Sequence, residues 1–173
     1  GPMTRTVEDN ALLLNAIAGY DKNDPSTEQN QKIPDFTEFL QKGVKGLRIG
    51  LIRHFYTTDL KADDEMCKAV DDAAATFKKL GAIVEELQVS PLSHFSSCNS
   101  IIMYCEALSI HDKWFKTRPN DYSKATRTRL MPGFFIKGED YVNALRTRTK
   151  LTQEINNQFR NFDLIVTASS MEA

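Results

Sequence analysis

Apolar residues recur along this chain at two spacings, and the switches between them mark out the elements. Val7, Ala11, Leu14 and Ala18 fall at i, i+4, i+7 and i+11, one stripe of an α-helix. Leu12, Leu13, Ala16 and Ile17 widen that stripe until little polar face remains. Residues 1–19 therefore predict a buried helix that needs cover on more than one side. Thr6 with Asp9 predicts its start as a capping-box-like pair, and Gly19 suits a left-handed position just past its end. Residues 20–45 are polar and turn-rich, from Asp21-Lys22-Asn23-Asp24-Pro25-Ser26 to Ile33-Pro34-Asp35. They predict a long surface connection with one short turn near Phe36, Phe39 and Leu40.

Residues 46–90 carry the clearest βαβ pattern. Leu47, Ile49 and Leu51 alternate with Arg48 and Gly50, a short strand. Asp63 or Asp64 caps a helix whose Met66, Val70, Ala73, Phe77 and Leu80 repeat at helical intervals; Lys78 and Lys79 suit its negative end, and Gly81 stops it. Ile83 to Val89 predicts a second strand, parallel to the first through a right-handed crossover. Residues 91–162 read as helical: Ser93 to about His111, with Phe95, Ile102 and Leu108 inward; Lys124 to Met131, stopped before Pro132-Gly133; and Glu139 to about Phe162, with Val142, Leu145, Ile155 and Phe159 on its periodic face. A terminal strand follows over 163–168. The expected class is α/β, a partial mixed, mostly parallel sheet with flanking helices.

Composition narrows the function classes. At 173 residues, 41% hydrophobic and 26% charged, the chain is an ordinary globular sequence. A net charge of -1 provides no global field, so no nucleic-acid or membrane partner is expected. No apolar run approaches the roughly 18 residues of a spanning helix, and no secretory signal pattern opens the sequence. Cys67, Cys98 and Cys105 are odd in number and lack metal-ligand spacing, which predicts reduced structural thiols and a cytoplasmic protein. His54, His94 and His111 are scattered without zinc-like pairing, so no metal ligand is assigned.

Candidate chemistry is sparse. Ser96-Ser97 lies on a predicted helix without flanking glycines, where serines bond their own backbone. Ser169-Ser170 follows the last strand. His111-Asp112 near Glu106 has the residue types of a base with an orienting acid, but a histidine at a helix end is the reading favoured here. Lys45, Lys78 and Lys79 sit in polar sequence surroundings, which favours a surface role over a catalytic one. Arg127, Arg129, Arg146 and Arg148, with Lys124 and Lys150, form a basic cluster without aromatic platforms, a solvated helix face.

One set of residues goes further. Gly1, Pro2, Met3, Arg5, Thr6, Asp9, Ala11 to Leu13, Gly19, Asp21, Asp24 and Pro25 match a Gly-Pro-Leu/Met-x-Arg-Thr/Ser-x-x-Asp motif, its Ala-Leu-Leu helix and an Asp-x-x-Asp-Pro turn. Leu47-Arg48-Ile49-Gly50, Glu106-Ala107, Arg129-Leu130 with Gly133, Asp140-Tyr141 with Ala144, and Phe162-Asp163-Leu164-Ile165-Val166 follow in order. In this pattern the chain resembles the amidase signature family, which includes fatty-acid amide hydrolases and a component of glutamyl-tRNA amidotransferase. The resemblance implies the C-terminal half of an amidase signature fold, acting on a carbon–nitrogen amide bond of a small molecule without metal or organic cofactor.

Such enzymes use a Ser–cis-Ser–Lys triad and a glycine-rich oxyanion loop. In the family both precede the Gly-Pro motif, so the resemblance implies no catalytic residue in this chain. Gly1-Pro2 ahead of Met3 reads equally as the motif's start or as a remnant of tag cleavage. What the resemblance leaves to this chain is scaffold and part of the substrate pocket, with Phe95, Ile102, Leu130, Phe134 and Ser169 as candidate wall residues. Ser169-Ser170 departs from the family's frequent Pro-Thr. Gly1, Pro2, Arg5 and Asp9 become a structural tie. The implied partner is an N-terminal catalytic half; the alternative is a non-catalytic module that self-associates through its exposed apolar face.

Overall fold

Two units make up the computed structural model, divided after Lys45, and residues 1–172 are described. In the first, α1 (Val7–Ile17) starts as its cap residues dictate: Thr6 is extended and its hydroxyl accepts the Asp9 N–H at 3.0 Å. The helix ends earlier than Gly19. Ala18 already turns extended, with its N–H on the Leu14 carbonyl, so Gly19 (φ 158°) follows as extended backbone and takes no left-handed capping position. Ala11 is buried, whereas Val7, Leu12, Leu13 and Ile17 are 44% to 75% exposed. Cover on α1 is thus confined to the Ala11 line, less than its all-round apolar pattern predicts.

The connection is built from aspartate turns. Asp21, Asp24 and Asp35 accept the N–H groups of Asn23, Ser26 and Thr37, each at 2.9 Å. Asn15 of α1 reaches into the last of these, donating to Asp35 and accepting from the Phe36 N–H, both at 2.9 Å.

The second unit holds a three-stranded parallel sheet of β1 (Arg48–Leu51), β2 (Ile83–Glu86) and β3 (Leu164–Val166), in the order β2-β1-β3. Because β1 is central, Ile49, Gly50 and Leu51 are all buried, and the alternation expected of this strand gives way to burial on both faces. Asp163 fixes the β3 edge: its carboxylate accepts the Arg48 N–H at 2.8 Å while its own N–H donates to the Arg48 carbonyl at 2.8 Å. The Arg48 N–H bond holds the Asp163 carboxyl below the usual range.

Helix α2 (Asp64–Lys79) begins where Asp63 accepts the Met66 N–H at 2.7 Å and ends with Gly81 at φ 92°, both as its caps predict. Its inward line is half-buried and runs through Cys67, Val70, Ala74 and Phe77; Ala73 and Leu80 face outward, a small rotation from the predicted stripe. Helix α3 (Leu92–Thr117) exceeds its expected end because no glycine or proline interrupts it before Pro119. Helices α4 (Lys124–Leu130) and α5 (Gly138–Gln158) complete the set, with 3-10 turns over 119–121 and 131–135. Helix α5 stops short of Phe162, because a turn through Asn161 carries that ring into the core.

Two buried clusters result. Ile52, Phe55, Leu87 and Phe162 lie under the sheet, and Cys98, Ile102, Ala144 and Leu151 lie between α3 and α5. Phe95 packs against both and joins them. Cys67, Cys98 and Cys105 are free thiols, and the Cys98 Sγ–H points at the Ala144 carbonyl, 3.1 Å away. No helix among the described residues is long and apolar enough to cross a membrane.

Candidate functional site

The long uninterrupted run of α3 places Phe95, Cys98, Asn99 and Ile102 on adjacent turns facing α5. Between the two helices lies a groove of about 340 Å³, floored by Phe95, Ile102, Leu151 and Ile155 and rimmed by Asn99, Arg148 and Asn156. An apolar floor with a few amide groups and one guanidinium suits a small, largely apolar molecule carrying a polar end. A second, more polar groove of about 470 Å³ runs along the neighbouring face, with Ser97, Asp140 and Asn143 on its wall.

Of the residues singled out for the pocket, the structure brings Phe95 and Ile102 together in the first groove. It sets the others apart. Leu130 is buried at the end of α4; Phe134 packs its ring 5.5 Å from Phe115 with the Lys116 ammonium at 5.6 Å; Ser169 is exposed beyond β3. In the opening motif, the Pro2 carbonyl accepts from the Asn10 side chain at 3.2 Å, tying the Gly1-Pro2 lead-in to α1. Arg5 and Asp9 form no ion pair among the described residues.

Among the described residues no serine hydroxyl is hydrogen-bonded to a lysine or histidine side chain. Ser96 donates to the Ser93 carbonyl at 3.3 Å, and Ser170 accepts the Glu172 N–H at 3.2 Å. His111 meets the Tyr122 hydroxyl at 3.1 Å, while Asp112 pairs with Lys116 at 2.7 Å, so these two neighbours do not form a base and its orienting acid. Among the described residues no group of three or more His, Cys, Asp or Glu is placed to hold a metal.

Two polar clusters escaped sequence reading. Arg53 clamps Asp71 through two bonds of 3.2 and 2.7 Å, and the fully buried Tyr56 donates its hydroxyl to the same carboxylate at 3.4 Å. Hydrogen bonding from Arg53 lowers the Asp71 carboxyl and raises the guanidinium, while burial pushes Tyr56 up to about 12. Near the start of α3, Asp59 accepts the Leu92 N–H at 2.6 Å and lies 3.2 Å from His54 Nδ1. The other ring nitrogen of His54 accepts the Val89 N–H at 3.4 Å, so Nδ1 carries the proton and donates to Asp59. Glu154 of α5 accepts the Ser90 N–H at 2.7 Å. Together these carboxylates seat a helix whose own cap residue, Pro91, makes no side-chain cap bond.

Asp59→Ala is therefore expected to lower stability by about 1 to 2 kcal/mol, as loss of a helix cap does, read by urea denaturation. The Asp71 cluster predicts a loss at both ends of the pH scale. Its depressed carboxyl contributes above the ordinary value of 3.8 and loses that contribution as pH falls through the folded value. Tyr56, raised, contributes fully below 10 and loses that as pH climbs toward about 12. Both side chains of the Arg53–Asp71 pair are about two-fifths exposed, so the acid effect is under about 1 kcal/mol. Thermal melts of wild type and Asp71→Asn across pH should converge at the acid end.

Comparison with known proteins supplies what this geometry lacks. A family model described as Amidase matches residues 1–173, the full length of the chain. The chain belongs to the amidase family. An amidase of Pseudomonas putida is 32% identical over 96% of this chain and 35% of its own length. The "A" component of the glutamyl-tRNA(Gln) amidotransferase of Ligilactobacillus salivarius is 31% identical over 98% of this chain and 39% of its own. Among solved structures, a bacterial aryl acylamidase of the amidase signature enzymes superposes with a TM-score of 0.78 at 25% identity, over 96% of this chain and 35% of that one. The chain thus spans between a third and two-fifths of the length of these proteins. The mixed α/β fold with its parallel sheet is the one the opening motif implied.

Proposed function

We propose that this chain is the scaffold portion of an amide-bond hydrolase, contributing a wall of the substrate pocket and none of the reacting groups. The observation that carries the reading is a pair of facts: the amidase model matches residues 1–173, yet no serine hydroxyl among the described residues is hydrogen-bonded to a lysine or histidine side chain. Attack on an amide needs an activated nucleophile and donors aimed at the oxyanion, and the absence of a serine bonded to a lysine or histidine supports placing that machinery outside these residues. The α3–α5 groove, with Phe95 and Ile102 on its floor, offers apolar contact to a small-molecule amide. The exposed Val7, Leu12, Leu13 and Ile17 of α1 offer a seat for a catalytic portion. Three free thiols favour a reducing compartment such as the cytoplasm.

Incubating the chain with a fluorophosphonate probe, and separately with a panel of primary and aryl amides, is expected to yield neither labelled protein nor released amine. Covalent labelling, or turnover that survives repurification, would overturn the reading. An in-frame lysine segment and a Gly-Gly-Ser-Ser segment in the coding sequence ahead of Thr4 would support it from the gene. The apolar face of α1 also favours a second reading, a non-catalytic module that self-associates through it; association abolished by Leu13→Glu is the outcome expected of that module.

A further inference from the structure

The C-terminal half of α3 presents an apolar line that its own unit leaves part-exposed. Met103, Ala107, Ile110 and Trp114 follow one another at four, three and four residues, so they fall on one narrow face. Met103 is 46% exposed, Ile110 66% and Trp114 44%. Two other sides of the helix are packed, while Glu106, Ser109, Lys113 and Lys116 make an exposed polar face beside the line. Cys98 and Ile102 pack toward Ala144 and Leu151 of α5, while Tyr104 and Leu108 lie against Gly133 in the 131–135 turn. Farther toward its N-terminus the same line is continued by Ser96 and Asn99, so the apolar character is confined to residues 103–114.

The charges beside this line say what fits it. Glu106 and Lys113 are seven residues apart on the same flank of the stripe, and neither has an ion-pair partner among the described residues. In heptad terms Met103 and Ile110 take d positions, Ala107 and Trp114 take a positions, and Glu106 and Lys113 are successive g positions. When two such helices run antiparallel, a faces d and g faces g. Ala107 then meets Ile110 of the other copy, Met103 meets Trp114, and Glu106 meets Lys113. The pairing is made twice, because a two-fold axis exchanges the copies. A parallel arrangement would instead set a against a and d against d, stacking Trp114 on Trp114 and Ala107 on Ala107.

We propose that a second copy of this chain packs antiparallel against the Met103–Trp114 segment of α3, with Glu106 of each copy paired to Lys113 of the other. The small Ala107 gives Ile110 its space, and the indole of Trp114 lies over Met103 at each end. Three helical turns, roughly 16 Å per copy, place the contact at the low end of specific interfaces, so association is expected in the micromolar range. This surface lies on α3 and owes nothing to the amide chemistry or to the face of α1.

Sedimentation equilibrium of the 173-residue chain between about 5 and about 200 µM tests it, since mass action must move a real dimer across that range. A reversible monomer–dimer equilibrium is expected, abolished by Ile110→Glu. Glu106→Lys alone and Lys113→Glu alone should each weaken it about tenfold, through two repulsions per dimer. The double exchange should restore it to near wild-type strength. Unchanged far-UV circular dichroism checks that the variants fold. A chain that stays monomeric throughout overturns the proposal. So does a dimer that Ile110→Glu leaves intact, whatever face holds it, or a charge reversal that the double exchange fails to rescue.

Discussion

Replacing Phe162 with alanine is expected to lower unfolding free energy by about 3 to 5 kcal/mol, the cost of emptying an aromatic site in a packed core. The ring is 9% exposed and belongs to the cluster of Ile52, Phe55 and Leu87. It also lies against the backbone of the central strand, since a Cβ built at Gly50 would stand 3.1 Å from Phe162 Cγ. No side chain at Gly50 can follow the ring inward, so the cavity has little means of collapse. Whole domains are stable by only about 5 to 15 kcal/mol, so a loss of this size removes a large share. Urea denaturation should show a markedly lower midpoint with an unchanged slope. Phe159→Ala, three residues earlier and 49% exposed, should cost under about 1 kcal/mol. Adding Gly50→Ala to Phe162→Ala should recover part of the loss, because the new methyl enters the vacated space; in the wild-type background the same methyl would be crowded by the ring and by Leu87 at 3.1 Å. Equal costs in both backgrounds would show that Phe162 is not the group filling that space.

What could be read from the chain beforehand was whatever is decided within one turn of helix or one strand. Thr6, Asp63 and Gly81 each act on backbone groups a few residues away, and each sits where its chemistry placed it. The strands at 48–51 and 83–86 were legible for the same reason. The buried middle of β1 was not, because its cover on both faces comes from chain far away, including Phe162 against Gly50. The polar clusters were less legible still. Arg53 finds Asp71 eighteen residues on, Asp59 finds Leu92 thirty-three on, and Ser90 finds Glu154 sixty-four on. No local spacing marks such pairs. The groove was half visible: Phe95 and Ile102 share a helical face and could be paired by periodicity, whereas Arg148 and Asn156 join them only through the packing of α5 on α3. Leu130, Phe134 and Ser169 carried no such shared face, and the fold disperses them.

The 131–135 turn offers a sharper test of that packing, in a residue with no side chain at all. Gly133 is buried, and a Cβ built there would lie 2.8 Å from the Tyr104 carbonyl oxygen and 3.2 Å from Leu108 Cβ. Contacts this short with backbone cannot be relieved by rotating a side chain, so the turn must lift from α3. Gly133 does not use a left-handed conformation, which makes the cost of Gly133→Ala steric and not conformational. A loss of about 1 to 3 kcal/mol is expected, and more for valine, whose branches meet the same wall. Trp114, on α3 and with its ring 6.1 Å from that of His111, lets near-UV circular dichroism report whether the disturbance travels down the helix. Gly138→Ala gives the opposite sign. That glycine opens α5 without a positive φ, and its added Cβ would meet nothing within 4 Å. Removing its backbone freedom should stabilise the chain by about 0.4 to 1 kcal/mol. Two glycines five residues apart, given the same methyl group, should therefore move the urea midpoint in opposite directions; equal shifts would mean that the turn does not rest on α3 as closely as Gly133 requires.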